Sequence, residues 1–570
     1  MEHIKLNYSE LRKVVWFFAD MIRDKGRGNS NDYMAITLGV VLLKRIVDMR
    51  AEYKRTFLQA GTPENKIYFL NGKSIDKAIS NHQSKFSQFE VFPEKIWTYR
   101  LEWNDLCKFS DNPNALTVSK AYSDNLGGNL LETNIVNKFL LLNEAIKSFK
   151  HETLHEIFDT LDFIPKIYKV NIDGNVDRKK QVLDLSDFEI ILEELNKYNF
   201  DLSHVSEDVF SDVYMDLLGR FAADGGKKGG EFFTPTKVVR GAVKFLCAKF
   251  KPRKVVVCDP TAGACTFMVE FAKVYKEMFD NHFKGDSNVN FKDYIEFVTG
   301  EKEPISKALG DANLLLSGYA DNHVSYHANS ITEYDDYLGT YAEKVDFVLA
   351  NPPYGLKDYG FNEVTADKDI KRGPYRWKFG IPNKGEGEYA FMSTILDLLN
   401  DEGKAVIVLP LGTLFKDITS TYREKIIEKD WLEGIIVLPE KMFHTTGIPV
   451  CLWLINKKKE EKDQGKIFFV NASNDFEKKG KLNEWSDNEP FEAFNERKNI
   501  EGYSGYININ RIIENKYNLS ITRYLQEIKE REEIDINTLR NDIKELMSLI
   551  SKDIYDIDNI VIKGIKNEQD

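Results

Sequence analysis

The stretch KVVVCDPTAGACTFMVEFAKVYKEMF, residues 254–279, decides the fold class. It begins with a run of valines, continues through a turn that contains glycine, and ends in a segment whose apolar residues recur every three or four positions. A strand, a tight turn and a helix in this order form the first unit of an α/β sheet. The glycine lets the backbone approach a ligand at the start of the helix, so residues 259–267 are the first candidate ligand site.

Seven more short apolar runs follow, most of them separated by helical patterns. Strands rich in valine and isoleucine that alternate with helices predict a doubly wound, mostly parallel sheet with its ligands at the carboxyl ends of the strands. The last three runs lie too close together for helical crossovers, so we expect an antiparallel edge there. The runs are residues 294–299, 324–327, 345–350, 405–409, 435–438, 452–455 and 467–470.

The segments on either side of this region have helical patterns. Residues 11–26 and 32–53 are amphipathic, and a stretch rich in glycine and lysine begins near residue 219, where we place a domain boundary. The expected parts are a helical N-terminal domain at residues 1–200, an α/β domain at 201–510 and a C-terminal helical tail at 511–570.

The tail carries apolar residues at the spacing of a coiled-coil seam. Asp553 interrupts this spacing after two heptads. The pattern fits a helix that docks a partner, and it equally fits a helix packed on its own protein. The seam residues are Ile536, Leu539, Ile543, Leu546 and Ile550.

Composition excludes several classes of protein. A chain of 570 residues with 42% hydrophobic and 29% charged residues is typical of an ordered globular protein with roughly three or four domains. The five cysteines show no CxxC spacing, so we expect no metal site and a reduced, cytoplasmic compartment in a bacterium or archaeon. No apolar run approaches the roughly 18 residues of a membrane helix, and no secretory leader is expected.

Charge is unevenly distributed along the chain. The net charge of −12 disfavours unaided binding of nucleic acid unless basic residues are gathered locally. Residues 225–258 contain nine basic residues and one acidic residue. A second group is interleaved with aromatic residues, which suggests a DNA-facing loop, although a solvated lysine-rich loop has the same composition. The candidate DNA-binding residues of this group are Lys371, Arg372, Arg376 and Lys378.

The motif ANPPYG, residues 350–355, directly follows the apolar run VDFVL. Two prolines fix the backbone and remove two amide donors, so carbonyl groups and the Asn351 amide oxygen can face one donor. The ring of Tyr354 offers a flat stacking surface. These features suit a planar amino group on a nucleobase, which makes Asn351, Pro352, Pro353 and Tyr354 the candidate catalytic residues.

An acidic residue follows the second predicted strand. Glu301 lies in the segment TGEKEP, where Rossmann-like folds commonly place an acid that accepts hydrogen bonds from ribose hydroxyls. A solvated loop glutamate is the alternative.

Taken in order, the glycine turn, the acid and NPPY resemble an S-adenosylmethionine-dependent amino-methyltransferase. Further stretches resemble the modification subunit of type I restriction–modification systems, in the N6-adenine DNA methyltransferase family. They are GEFFTPTKVVR (230–240), LGVVLLKRIVD (38–48), AVIVLPLGTLF (405–415) and IIVLPEKMFHTTGIPVCLWLINK (435–457). The resemblance spans nearly the whole chain and implies that residues 201–510 are the methyltransferase domain.

The resemblance also implies which residues hold S-adenosylmethionine. In the family, the EFFTP segment closes over the methionine end, the glycine turn and the acid hold the rest of the cofactor, and the segment after the third strand faces the adenine ring. The implied cofactor-binding residues are Glu231, Phe232, Phe233, Thr234, Pro235, Thr236, Asp259, Thr261, Ala262, Gly263, Glu301, Asn329 and Ser330.

Two positions depart from the family pattern. Asn329 stands where the family usually has an acid, and a neutral amide can still pair with the adenine amino group. Cys265 stands where the family usually has glycine, so its side chain must point away from the ligand if the turn keeps its shape.

The implied activity is methyl transfer to the N6 amino group of adenine in double-stranded DNA. The implied partners are a specificity subunit, a restriction subunit and a second copy of the modification subunit. The alternatives are a solitary or other phage-defence adenine methyltransferase, and a scaffolding subunit that binds cofactor poorly. Cytosine carbon-5 methylation is disfavoured because no cysteine follows a proline, and a motor role is disfavoured because the chain has no GxxxxGK[ST] loop.

Overall fold

A computed structural model describes residues 6–59, 152–167, 181–224, 234–284, 289–366, 376–416, 420–443, 447–480, 482–525 and 536–567. The helices of these ranges are α1 (Tyr8–Lys25), α2 (Ser30–Gln59), α3 (Glu152–Leu161), α4 (Ile164–Ile167), α5 (Leu185–Leu195), α6 (Glu207–Asp224), α7 (Thr236–Cys247), α8 (Thr266–Phe283), α9 (Pro304–Leu316), α10 (Phe361–Ala366), α11 (Gly387–Leu398), α12 (Ser420–Glu428), α13 (Asn488–Glu496), α14 (Ile509–Glu514) and α15 (Ile536–Asn567). None of them is long and apolar enough to cross a membrane.

The strands form a central sheet and a small hairpin. They are β1 (Val255–Asp259), β2 (Ile295–Glu301), β3 (His323–His327), β4 (Val345–Ala350), β5 (Leu399–Pro410), β6 (Leu432–Val437), β7 (Val450–Asn456), β8 (Lys466–Asn471), β9 (Phe476–Lys479), β10 (Leu482–Trp485) and β11 (Ser504–Asn508). All eight apolar runs of the sequence are strands of the sheet, whereas β11 and the β9–β10 hairpin lack a continuous apolar run and were missed.

The sheet confirms the doubly wound α/β prediction. Within the described residues its order is β11-β8-β6-β7-β5-β4-β1-β2-β3, and the five strands from β5 to β3 are parallel. The edge is antiparallel where β7 lies between β5 and β6 and where β11 pairs with β8. The neighbouring β6 and β8 are parallel to each other, which the short connections did not predict.

The N-terminal amphipathic segments are helices, as predicted. Helix α1 begins with a capping box in which the Asn7 side chain accepts from the Glu10 amide and the Glu10 side chain accepts from the Asn7 amide. Its apolar face is buried in a core that α2, α3, α5 and α6 share with one face of α9. Helix α9 connects β2 to β3. The helical core therefore packs directly against the part of the α/β domain that contains the turn after β1.

The three-part division of the chain stays a proposal. Helix α6, which follows residue 200, packs with α1 and α2 and also with α9. It therefore belongs to the helical core by its contacts, although the N-terminal domain was expected to end before it.

Helix α15 forms the second described part of the tail, after residues 511–525, and extends beyond Asp553. Its apolar side chains stay exposed, with 50% of Leu539, 58% of Leu546 and 59% of Ile557 accessible. Because Ile557 continues the seam spacing after Asp553, the apolar stripe is longer than the two heptads expected from the sequence.

Candidate functional site

The candidate residues meet at the carboxyl ends of the parallel strands. Asp259 ends β1, Glu301 ends β2 and Asn351 follows β4, and these strands are parallel neighbours. Parallel strands place their carboxyl ends together, so three motifs that are distant in sequence line one crevice.

The turn after β1 is tied to the end of β2. The Ala262 amide donates to the Gly300 carbonyl at 3.1 Å, and the Gly263 amide donates to the Glu301 carboxylate at 2.8 Å. Gly263 has a φ of 50°, a left-handed conformation that glycine adopts at little cost. The loop of the first motif and the acid of the second therefore form one hydrogen-bonded unit.

Asp259 is a buried carboxyl group with one unpaired oxygen. Its Oδ1 atom accepts from the Thr261 amide at 2.8 Å and from the Thr261 hydroxyl at 3.2 Å, whereas its Oδ2 atom has no hydrogen-bond partner. Burial, with a smaller contribution from the charge of Glu301, raises the pKa of Asp259 to about 8. A buried polar atom without a partner is costly, so Oδ2 is a position for a ligand donor or cation.

Glu301 is held by backbone amides. Besides the Gly263 amide, the Glu303 amide donates to its carboxylate at 2.8 Å, just before Pro304 begins α9. Burial raises the pKa of Glu301 despite these hydrogen bonds. The solvated-loop alternative does not describe this side chain, because its two oxygens are bound within the site.

The turn keeps its shape around Cys265. Cys265 has a φ of 57° and is buried. Its sulfur lies so close to Gly310 that a Cβ atom added to Gly310 would be only 2.6 Å from it. The side chain therefore points away from the crevice and into the packing with α9. Because Gly310 has no side chain, it leaves room for the side chain of Cys265, the residue that stands where the family usually has glycine.

Helix α9 also connects the turn to the helical core. Asn313 is fully buried, its amide nitrogen donates to the Ala264 carbonyl at 2.9 Å, and its amide oxygen accepts from the Ser211 hydroxyl of α6 at 3.2 Å. Sequence reasoning missed Asn313, because neither its helix nor its neighbours contain a motif.

The structure gives Asn329 and Ser330 different contacts from those that the family resemblance implied. The Asn329 amide oxygen accepts from the Ile331 and Thr332 amides at 3.0 and 3.3 Å. The Ser330 hydroxyl is buried and donates to the Pro260 carbonyl. The Asn329 side chain thus stabilises the backbone after β3, and the Ser330 side chain joins this segment to the turn after β1. The role of both residues at an adenine ring stays a prediction.

The NPPY turn is joined to the segment that precedes α7. The Asn351 amide nitrogen donates to the Thr234 hydroxyl at 2.9 Å, and the Asn351 amide oxygen accepts from the Tyr354 hydroxyl. The structure buries Pro352 and exposes Pro353. Tyr354 is half-buried, and burial raises its pKa above the ordinary value, so its hydroxyl stays protonated at neutral pH.

Glu388 supports the same turn and was missed by sequence reasoning. Its carboxylate accepts from the Gly355 amide at 2.8 Å, and Gly355 has a φ of 64°. The two residues are 33 positions apart, so no local pattern indicates the contact.

The segment before α7 is only partly described. Pro235 caps α7, Thr236 is its first residue, and the Pro235 carbonyl accepts from the Val238 amide at 2.9 Å. Glu231, Phe232 and Phe233 lie outside the described residues, as do Lys371 and Arg372 of the predicted DNA-binding loop.

The two described residues of that loop, Arg376 and Lys378, have different surroundings. Arg376 is 8% exposed, its guanidinium donates to the Ile331 carbonyl at 2.6 Å, and it lies 4.5 Å from the centre of the Tyr334 ring. The cavity beside it, 280 Å³ in volume, is lined by the acidic Glu333, Asp335 and Glu363. A buried arginine beside acidic residues is poorly placed to neutralise a phosphate, which corrects the expectation for Arg376.

Lys378 lies at the opposite end of the strands. Its ammonium group is 4.9 Å from the ring centre of Trp431, which directly precedes β6 and so lies at the amino ends of the parallel strands. The structure therefore does not bring Lys378 to the NPPY turn.

Several basic residues of the 225–258 region are paired with acids. Arg240 contacts Glu270 at 2.8 Å, Lys244 contacts Asp487 at 2.7 Å, and Arg253 contacts Asp346 at 2.7 Å. These ion pairs offset part of the positive charge that the sequence concentrates there.

Comparisons with known proteins point to one family. A family model described as N-6 DNA Methylase matches residues 205–533. The chain is 30% identical over 448 residues to the type I restriction enzyme MjaVII methylase subunit of Methanocaldococcus jannaschii, covering 75% of this chain and 72% of that protein. It is also 30% identical over 278 residues to the type I restriction enzyme HindI methylase subunit of Haemophilus influenzae, covering 48% and 57%.

Solved structures show the same fold. The methyltransferase subunit of the type I restriction-modification system from Streptococcus thermophilus has a TM-score of 0.67 at 20% identity, covering 91% of this chain and 100% of that chain. At this identity the likeness concerns the fold alone.

The packing of Cys265 on Gly310 predicts the effect of one added methyl group. Gly310→Ala places a Cβ atom 2.6 Å from the Cys265 sulfur and 2.7 Å from the Gly263 carbonyl oxygen. Overpacking costs about 1–3 kcal/mol, whereas alanine in place of glycine gains at most about 1 kcal/mol in a helix. We expect a lower midpoint of thermal unfolding.

The double variant Gly310→Ala with Cys265→Gly is the matched control. It removes the sulfur and the left-handed strain together, so it should unfold at a higher temperature than Gly310→Ala alone. A Gly310→Ala protein as stable as the wild type would contradict this packing.

Proposed function

Because the chain belongs to the N-6 DNA methylase family, we propose that it transfers a methyl group from S-adenosylmethionine to the N6 amino group of adenine in double-stranded DNA. The observation that carries the proposal is the position of the NPPY turn, which lies with Asp259 and Glu301 at the carboxyl ends of the parallel strands. An acceptor for an amino group thus adjoins a crevice with one buried carboxyl group, Asp259, and one half-buried carboxyl group, Glu301.

The residues of the crevice fit S-adenosylmethionine. The unpaired Oδ2 atom of Asp259 offers an acceptor to a cationic or hydroxyl group, and the Glu301 carboxylate suits ribose hydroxyls. The absence of a side chain at Gly263 leaves the backbone accessible between them. The cofactor supplies an electrophilic methyl group carried on a sulfonium.

The NPPY turn would hold the target nitrogen. An aromatic amine is a poor nucleophile because its lone pair is delocalised into the ring, so the amino group must be oriented towards the methyl carbon. The Asn351 amide oxygen and the Pro352 carbonyl would accept its two hydrogens. Neither is a strong base, so the proton released on methylation leaves to water or a carbonyl group.

The target base must leave the double helix to reach this turn. An adenine inside the duplex is stacked and paired, so it has to be flipped out, and the ring of Tyr354 would stack on its face. The hydrogen bond from the Tyr354 hydroxyl to the Asn351 amide oxygen supports this role, because it keeps Tyr354 next to Asn351.

The partners follow from the same family assignment and from α15. A second solved relative, from a study of complex assembly in the type I R-M system, has a TM-score of 0.52 at 19% identity. The exposed stripe of α15 supports a helix that docks a specificity subunit, through which a restriction subunit and a second copy of this chain would join the complex. A solitary or other phage-defence methyltransferase remains the alternative that an assembly test separates.

The alternative of a scaffolding subunit loses its main argument. The argument for a scaffolding subunit was that the Cys265 side chain would hinder cofactor binding. In the structure this side chain packs against α9 instead. Calorimetric titration with S-adenosylmethionine is the direct test of this alternative.

Asn351→Ala removes the amino-group acceptor. We expect it to abolish methylation and to leave S-adenosylmethionine binding nearly unchanged, since Asp259 and Glu301 are intact. Transfer of radiolabelled methyl groups to DNA measures the first effect and calorimetry the second. Methylation equal to that of the wild type would sink the assignment.

Asp259 should make cofactor binding depend on pH. With a pKa raised to about 8 by burial, its carboxyl group is protonated at pH 7 in the free protein. The positive charge of S-adenosylmethionine favours the carboxylate, so binding lowers the pKa and releases a proton. Affinity should therefore rise as the pH increases towards about 8 and level off above that pH. Calorimetry in two buffers of different ionisation enthalpy counts the protons, and Asp259→Asn should abolish the release.

The α15 stripe should be needed for assembly. Leu546→Glu with Ile550→Glu places charge on the seam and should prevent co-purification with the specificity subunit, whereas S-adenosylmethionine binding should persist. Ser548→Glu with Ser551→Glu adds the same charge away from the seam and is the matched control. Equal recovery of the subunit by both variants would contradict the docking role.

A further inference from the structure

We propose that Asn313 is a positioning residue that holds the turn after β1 in its left-handed shape, and that this chain depends on it because Cys265 stands in that turn. The role rests on the proposed binding of S-adenosylmethionine by the turn. It gives a residue of α9, outside every motif of the sequence, an effect on the affinity for the cofactor.

Cys265 has an unfavourable backbone conformation. Its φ is 57° and its ψ is 28°, which lie in the left-handed helical region. The Cβ atom of an ordinary residue comes too close to a carbonyl oxygen there, whereas glycine has no such contact. A conformation of this kind persists only where the surrounding structure holds it.

The peptide unit between Ala264 and Cys265 is held at both ends. Its carbonyl oxygen accepts from the Asn313 amide nitrogen at 2.9 Å, and its N–H group donates to the Ala262 carbonyl at 2.8 Å. Rotation of this unit changes the φ of Cys265, because the unit turns about the bond to the Cys265 Cα atom. The two hydrogen bonds therefore keep Cys265 in the left-handed region.

The partners of Asn313 fix which end of its side-chain amide faces the turn. A backbone carbonyl can only accept, so the NH₂ group must face Ala264. The same nitrogen lies beside the Met215 sulfur, a weak acceptor, and the amide oxygen accepts from the Ser211 hydroxyl at 3.2 Å. Asn313 is fully buried, so removing its amide leaves a buried carbonyl without this donor, which is costly.

Helix α9 gives Asn313 a fixed support. Gly310 lies one helical turn before it, and a Cβ atom added there would be only 2.7 Å from the Gly263 carbonyl oxygen. Leu309 and Leu315 of the same helix are buried in the helical core. The helix therefore touches the turn closely and is anchored on its other side.

The shape of the turn matters for the cofactor because Gly263 and Glu301 belong to the same hydrogen-bonded unit. If only a fraction of the molecules has the turn formed, the apparent dissociation constant rises by the reciprocal of that fraction. Without Asn313, the steric penalty at Cys265 lowers this fraction. Glycine at the same position removes the penalty, so the turn should then form without Asn313.

Asn313→Ala is compared in three backgrounds of the full chain: wild type, Cys265→Ala and Cys265→Gly. Calorimetric titration measures the dissociation constant of S-adenosylmethionine. We expect Asn313→Ala to raise it roughly 5- to 30-fold in the first two backgrounds and less than about threefold in Cys265→Gly. Cys265→Ala is the matched control, because it removes the sulfur and keeps the Cβ atom.

Two further measurements distinguish positioning from general stabilisation. Hydrogen exchange of the turn in the free protein should be faster in Asn313→Ala, and adding Cys265→Gly should restore its protection. In complexes co-expressed with the genomic neighbours, Asn313→Ala should raise the KM for S-adenosylmethionine and leave kcat at saturating cofactor within about threefold. A residue that only stabilises the fold would show neither the restored protection nor this split.

The outcomes separate this role from the proposed function. An unchanged affinity for Asn313→Ala, or equal losses in all three backgrounds, would overturn the role of Asn313 while wild-type binding stands. An unfolded Asn313→Ala that Cys265→Gly does not restore would also overturn it, because the effect would then lie in the core. A wild-type chain that binds no S-adenosylmethionine would overturn the proposed cofactor site, and hydrogen exchange would still show whether Asn313 holds the turn.

Discussion

The hydrogen bond from the Gly263 amide to the Glu301 carboxylate fixes the crevice on which the rest of the site depends. It joins the turn after β1 to the end of β2, and the carboxylate also receives the Glu303 amide at the start of α9. A single half-buried carboxylate thus holds the turn after β1 and the start of α9 together. Its burial is costly, and the two backbone donors offset that cost.

Helix α9 makes this crevice part of a larger unit. One face of α9 packs in the helical core of the N-terminal region, while Gly310 and Asn313 contact the turn after β1. Close packing transmits small displacements, because interiors lack empty space. The turn after β1 is therefore packed as one unit with the helical core through α9.

The charge distribution suits a subunit of a larger assembly. The net charge is −12, Arg240, Lys244 and Arg253 are paired with acids, and Arg376 is buried. The described residues thus offer less positive surface than the sequence suggested. This distribution fits the proposal that partner subunits supply part of the contact with DNA.

Local patterns in the sequence determined β1 to β8, the long helices and the NPPY motif, because hydrophobic periodicity and proline restrict the backbone over a few residues. Strand order at the antiparallel edge, and the parallel pairing of β6 with β8, required the tertiary structure, since connection length does not specify which strand is a neighbour. The contacts of single side chains were also beyond the sequence: Asn351 with Thr234 across 117 positions, Gly263 with Glu301 across 38, and Cys265 with the space above Gly310. The sequence by itself determined which chemical groups are present, and the fold decided which of them meet, because hydrogen bonds and packing act over a few ångströms whatever the separation along the chain.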